Sequence, residues 1–195
     1  MPNTAQARAP RQDNRRQVIL DAAARLFARR GYHATSMRDI ASAADMLPGS
    51  VYYHFASKEA LLLSVYAEGV ARIALRVDAA VTKKRNPRAR LEAACAAHLE
   101  MLLDQSDYAQ VVVRVLPQDV EAISAALIAL RDDYERRFRD LIAALELPRR
   151  ADPRLVRLGL LGALNGAKVW YRTGGETPAT IARGFLQTMI PATQR

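Results

Sequence analysis

Apolar positions recur at three- and four-residue steps along most of the chain. Val18, Ile19, Ala22, Ala23, Leu26 and Phe27 form one such stripe, the pattern of an amphipathic helix. This helix is expected to begin near Asp13 and to stop at Gly31, because a residue without a Cβ suits the left-handed position just past a helix end. Ser36 opens a short second helix. With Asp39 it fits the reciprocal capping box, and Ile40, Ala41 and Ala44 supply the inner face. Asp45-Met46-Leu47 breaks the chain, and Pro48 then suits the first position of a third helix through Val51, Tyr52 and Phe55. Ser57 caps a long fourth helix, expected from Lys58 to about Val81. Further helices are expected from Pro87 to Gln105, over 119–147, from Pro153 to near Gly174-Gly175, and from Pro178 to near Ile190; Asp152 and Thr177 cap the last two. Residues 107–116 read as a short helix, although Val111-Val112-Val113 fits a strand equally well. No stretch alternates with period two between hairpin turns. The expected fold class is all-α, about nine helices with no internal repeat.

The chain has 195 residues, a formal net charge of +9 and one cysteine, Cys95. Half of the residues are hydrophobic, which excludes a disordered chain. The basic balance favours an acidic partner such as nucleic acid, a membrane surface or an anionic ligand. Residues 1–58 carry nine basic and four acidic groups, so positive charge is densest at the front. Residues 1–13 are expected to form a flexible basic arm. A single cysteine allows no internal disulfide, no apolar run is long enough to span a membrane, and the first residues lack a signal peptide's apolar stretch. A cytoplasmic protein is expected.

The most informative segment is the pair of short helices over 36–55, separated by three residues. A recognition helix reads base edges with its N-terminal end. Pro48, Gly49 and Ser50 suit that end: Gly49 permits close backbone approach and Ser50 can bond base or phosphate. Tyr52, Tyr53, His54 and Lys58 follow as donors of the kind that hold phosphates. Arg38, at the start of the preceding helix, can present its planar fork to a guanine edge.

The run Gly31-Tyr32-His33-Ala34-Thr35-Ser36-Met37-Arg38-Asp39-Ile40-Ala41, followed by Pro48-Gly49-Ser50-Val51-Tyr52-Tyr53-His54-Phe55-Ala56-Ser57-Lys58-Glu59-Ala60-Leu61-Leu62, closely resembles the DNA-binding domain of the TetR family of bacterial regulators. The resemblance covers about residues 14–62. It implies a three-helix head, a long fourth helix as connector, and a larger helical domain over 63–195 that binds an effector and dimerises. It further implies that Thr35, Ser36, Arg38, Gly49, Ser50, Tyr52, Tyr53, His54 and Lys58 lie at or near DNA. The chain departs from the family pattern at three places. Asp45 stands where Gly is common, Leu47 where a Ser or Thr cap is usual, and Pro48 where Lys is frequent. These departures bear on operator affinity more than on fold.

A sensor pocket in a helical domain needs apolar walls and a few convergent polar groups. Candidates are Cys95, His98 and Met101, then Tyr108, Val112 and Arg114, then Tyr134, Arg137 and Phe138, then Asn165 and Trp170. For the apolar members ordinary core is the simpler reading, and for His98 a satisfied core histidine. Cys95 and His98 sit three apart on one face, but metal binding would need more ligands than this pair and the whole chain has only three histidines, so no metal or cofactor is expected. The stretch from Asp152 to Ile190 loosely resembles the C-terminal domains of TetR-family regulators of fatty-acid and steroid breakdown, some of which respond to acyl-CoA thioesters. Gly159, Gly162 and Gly166 leave one side of the penultimate helix without bulk. With Leu155, Leu158, Leu161, Phe185, Leu186 and Met189 they are expected to form the seam of a homodimer. A two-fold dimer places two recognition helices roughly 34–36 Å apart and favours a palindromic operator.

The expected function is therefore a ligand-responsive transcription regulator, a repressor released from its operator by a small-molecule effector. An activator of the same fold is the alternative, and a nonspecific architectural DNA binder a more distant one. No Gly-rich phosphate loop, zinc-type spacing or nucleophile elbow points to an enzyme.

Overall fold

The computed structural model describes residues 9–191, with side chains from residue 14 onward. Residues 1–8 of the expected basic arm lie outside the described residues. The rest of that arm is already helical: α1 runs Ala9–Arg30, four residues longer at its front than the apolar stripe indicates. The stripe begins only where α1 meets a partner, so it marks burial and not the helix start. Eight more α-helices follow among the described residues: α2 Met37–Ala43, α3 Pro48–His54, α4 Lys58–Thr82, α5 Pro87–Leu103, α6 Asp107–Arg114, α7 Ser124–Ala143, α8 Pro153–Trp170 and α9 Pro178–Met189. No strand occurs among them, so the Val111–Val113 run is helical. No helix there is long and apolar enough to cross a membrane.

Two helices are shorter than the apolar pattern suggests. The segment expected to start α7 at Asp119 instead forms two 3-10 turns, Pro117–Asp119 and Glu121–Ile123. The Asp119 carboxylate accepts the Leu116 N–H at 2.7 Å, and Val120 between the turns is buried in a non-helical conformation. Apolar spacing registers the buried face but not this break. α8 ends at Trp170 because Tyr171 turns extended, at φ −58° and ψ 139°. Gly174, at φ +87°, belongs to a separate turn closed by Gly175 N–H on the Arg172 carbonyl (3.1 Å).

The helices pack as two units. Among the described residues, the first holds those up to Gly69 together with 106–128; the second holds 70–105 and 129–191. In the first, Ile19, Ala23, Ile40, Val51, Leu61, Leu62 and Val65 are fully buried. Each large aliphatic among them contributes about 1.5–3 kcal/mol by leaving water. In the second, Leu91, Leu99, Phe138, Ile142, Leu160 and Leu164 form the core.

A boundary at residue 62 misses α6, which lies far along the chain yet packs on α1. The α6 residue Tyr108 donates its hydroxyl to Asp21 Oδ1 (2.8 Å). Gln17 Nε2 donates to the same carboxylate (2.9 Å) and to the Tyr108 hydroxyl (3.1 Å). Arg114 Nη1 donates to the Ala28 carbonyl at 2.7 Å. α4 meets the same helix at Gly69, where a Cβ would lie 2.6 Å from Val112 Cγ2 and 3.0 Å from the Tyr108 carbonyl oxygen. Gly69→Ala is therefore expected to cost about 1–3 kcal/mol in chemical denaturation. Adding Val112→Ala should recover part of that loss; strict additivity of the two changes would mean that no clash exists.

Candidate functional site

The head is built from local signals that the structure keeps. Gly31 ends α1 at φ +85°. Ser36 caps α2: its Oγ accepts the Asp39 N–H (3.1 Å), while Asp39 Oδ2 accepts the Ser36 N–H (2.8 Å). The Ser36 hydroxyl also holds that carboxylate, and the Asp39 pKa falls below the usual carboxylate range through these bonds. Asp45 takes the left-handed conformation, φ 54°. Around it Met46 N–H reaches the Ala41 carbonyl (2.9 Å) and Asp45 N–H the Ser42 carbonyl (3.2 Å). This is the paired closure that usually carries Gly, and a short polar side chain tolerates it.

α3 turns Val51 inward, with Phe55 behind it. Its other side faces solvent: Pro48, Gly49, Tyr52 and Tyr53 are exposed, Tyr53 by 75%. Ser50 and His54 are half-buried, with His54 edge-on to Tyr53 at 5.3 Å. Arg38 is exposed on α2, and its guanidinium holds no partner among the described residues. Leu47, at the α3 cap position, is 77% exposed and caps nothing. Leu47→Ser is expected to raise unfolding free energy by about 1 kcal/mol, read as a shift of the urea midpoint at constant slope.

Thr35 and Lys58 are placed differently from the expectation. Thr35 is 1% exposed and its Oγ1 donates to the Gly31 carbonyl at 2.8 Å. Lys58 Nζ donates to the Tyr32 and Thr35 carbonyls, both at 3.0 Å, and sits 4.1 Å from the Tyr32 ring centroid. Both side chains satisfy backbone of the α1–α2 turn, which no helix ladder serves. Beside them the Tyr32 hydroxyl donates to Glu59 Oε1 at 2.5 Å. That bond holds the Glu59 carboxyl below its ordinary range, and burial foremost pushes the Tyr32 phenol up. Sequence reading missed Tyr32 and Glu59 as members of this lock. It also missed Arg16, whose guanidinium lies 5.1 Å from the Phe55 ring centroid at the end of α3.

Of the eleven proposed pocket residues, the second unit brings four into one cluster: His98, Tyr134, Phe138 and Asn165. His98 is buried between Tyr134 and Asn165: its Nδ1 lies 2.6 Å from the Tyr134 hydroxyl and its Nε2 3.1 Å from Asn165 Oδ1. An amide oxygen only accepts, so Nε2 carries the proton and Tyr134 donates to Nδ1. Phe138 meets the His98 ring edge-on at 5.7 Å. Cys95 and Met101 are buried on the same helix. Burial drives the His98 pKa down to about 4, keeps the ring neutral, and raises the Cys95 thiol.

The remaining candidates lie elsewhere. Tyr108, Val112 and Arg114 belong to α6 and the first unit, as described above. Arg137 grips Asp78 through Nε, 3.1 Å from each carboxylate oxygen. It lines a cleft of about 320 Å³ with Val77, Val81, Arg90, Asp140 and Leu141. The ring partner of Trp170 is Phe185, edge-on at 6.2 Å. On α8, Leu155 and Leu158 are exposed, and a Cβ at Gly159, Gly162 or Gly166 would meet open space. Met189 is exposed on α9, with Phe185 half-buried beside it. Leu161 and Leu186, only 5% and 2% exposed, fill their own subunit's core and leave the expected seam. The spacing that put them in line with Leu158 and Met189 runs along both sides of an amphipathic helix.

Comparison with known proteins agrees with this architecture. Residues 19–65 match the N-terminal model of the bacterial regulatory proteins of the tetR family, and residues 84–192 match a tetracyclin repressor-like C-terminal domain. The HTH-type transcriptional repressor KstR2 of Rhodococcus jostii (strain RHA1) is 30% identical over 189 residues, 92% of this chain and 91% of that protein. Among solved structures, that of the superantigen PfiT superposes with a TM-score of 0.81 at 29% identity, covering 93% of this chain and 98% of the other. AibR in complex with isovaleryl coenzyme A and operator DNA gives 0.73 at 27% identity, over 91% and 98%. With a reading helix exposed on a capped three-helix head and a second helical unit in the same chain, the chain belongs to the TetR family and is a ligand-responsive, DNA-binding transcriptional regulator.

Proposed function

We propose that this protein is a cytoplasmic repressor that holds a palindromic operator as a two-fold dimer and releases it on binding an acyl thioester of coenzyme A. The observation that carries this reading is the full-length likeness to AibR, whose structure holds both an acyl-CoA and operator DNA. The likeness to the repressor KstR2 favours repression.

The residues support the same scheme. Ser36, Arg38, Pro48, Gly49, Tyr52 and Tyr53 are the head's exposed candidates for DNA, with Ser50 and His54 partly accessible beside them. The strip of α8 and α9 in which Leu155, Leu158, Gly159, Gly162 and Met189 are exposed and Gly166 and Phe185 half-buried is an apolar face suited to close packing against its two-fold copy. An effector shifts the balance only if it binds the DNA-incompetent arrangement better than the competent one.

The test is selection of bound sequences from a random duplex pool, followed by titration of the enriched duplex complex with isovaleryl-CoA and longer acyl-CoAs. An enriched palindrome with half-sites one turn apart, released by a thioester but not by free coenzyme A, is the expected result. Salt-steep binding without enrichment would overturn the operator reading. Release by unrelated effectors alone would overturn the thioester.

A further inference from the structure

The cleft beside Arg137 lies next to the most basic stretch of the second unit. Residues 79–91 contain Lys83, Lys84, Arg85, Arg88 and Arg90 and no acidic residue. Arg88 is committed to the end of α9, donating through Nη1 to the Ile190 carbonyl (2.5 Å) and through Nη2 to the Leu186 carbonyl (3.2 Å). The side chains of Lys83, Lys84, Arg85 and Arg90 are exposed and hold no partner among the described residues. Lys83, Lys84 and Arg85 lie on the loop between Val81 and Arg90, two residues that themselves line the cleft. The cleft's apolar wall comes from Val77 and Val81 on α4 and from Leu141 and Ala144 at the end of α7.

We propose that this cleft and its basic loop bind the phosphate-bearing end of the effector, the apolar wall taking the non-polar group next to it. The inference rests on the coenzyme A reading above and assigns residues to it. A single carboxylate is satisfied by one guanidinium fork. Arg90 in the cleft, with three more unpaired cations on the loop that joins two of its lining residues, calls for a ligand with several negative charges, such as a nucleotide carrying a di- or triphosphate's worth of charge. The two carboxylates in the cleft do not undo this. Asp78 is held by Arg137 through both oxygens, and Asp140 has Arg139 at 3.6 Å. A volume of about 320 Å³ is at the lower end for small-molecule sites, enough for part of such a ligand and not for all of it.

Calorimetric titration of the full-length protein with isovaleryl-CoA, ADP and isovalerate tests the site. The wild type is expected to bind isovaleryl-CoA best, ADP more weakly and isovalerate least. Neutralising the mouth in K83A/K84A/R85A/R90A should lower affinity for isovaleryl-CoA at least tenfold and abolish measurable ADP binding. Removing three other exposed arginines, in R149A/R150A/R154A, should change neither by more than twofold. Ala144→Trp, which fills the cleft from an exposed position, should weaken the thioester more than ADP; circular dichroism confirms that each variant is folded. Unchanged thioester affinity in the quadruple variant would overturn this site and leave the proposed effector standing. A wild type that binds no CoA thioester would overturn both. A quadruple variant that loses nonspecific duplex DNA while keeping the thioester would show that the loop serves nucleic acid, and would equally overturn the assignment.

Discussion

Arg38→Ala is expected to weaken operator binding by between ~30-fold and ~10⁴-fold. A guanidinium bidentate to a guanine edge is worth about 1–3 kcal/mol. A two-fold dimer loses it in both half-sites, so the loss doubles to roughly 2–6 kcal/mol. Arg38 is the proposed group for this role because it is exposed at the front of a capped helix and has no partner among the described residues. Arg16 and Lys58, by contrast, lie over aromatic rings of the head. The measurement is affinity for the selected palindrome and for duplexes changed at single guanines. A loss confined to one base position in each half-site supports base reading. A uniform loss with a shallower salt slope would assign Arg38 to phosphate instead.

Stability is expected to fall by about 3 kcal/mol between pH 6.5 and pH 4 through His98 alone. Its pKa is about 4 in the fold against 6.5 for a free imidazole. Each unit of difference corresponds to about 1.4 kcal/mol. Between those two values the unfolded chain binds the proton and the folded chain does not, so protonation favours unfolding. The contribution is complete above pH 6.5 and is lost as the pH falls through this window. Asp39 and Glu59, whose folded pKa values are also lowered, lose their share only as the pH falls below the ordinary carboxylate range. Urea titrations at pH 7 and pH 5 separate the two, with His98→Gln as the comparison. The variant should be less stable at pH 7 yet nearly flat across the window. An equally steep profile in the variant would remove His98 as the cause.

What the sequence made legible was local. The Ser36–Asp39 box, the left-handed Gly31 and Asp45, and Pro48 at a helix start each depend on neighbours a few residues away, and each stands where the spacing places it. His98 was legible as a satisfied core histidine, though not its partners 36 and 67 positions distant. Contacts across the chain were not legible. Thr35 and Lys58 fit a DNA-contact pattern, and only the fold reveals the turn carbonyls that occupy them. Tyr108, Val112 and Arg114 carry the right mixture for a pocket, because an amphipathic helix looks the same whichever unit it packs on. Leu161 and Leu186 show the same blindness on a smaller scale: periodicity marks that a face is buried and not what buries it.

The placement of α6 bears on how such regulators can be cut and recombined. The first unit is not a continuous stretch of chain, since it takes in residues 106–128. A fragment ending at residue 62 would leave Gln17, Asp21 and Ala28 of α1 without the α6 partners that hold them. Grafting this reading head onto a foreign sensor to build a biosensor would thus transplant half of a lock. The chimaera should answer its new ligand only when the α6 of the recipient carries a hydroxyl for Asp21 and a donor for the Ala28 carbonyl, or when those α1 positions are exchanged along with the sensor.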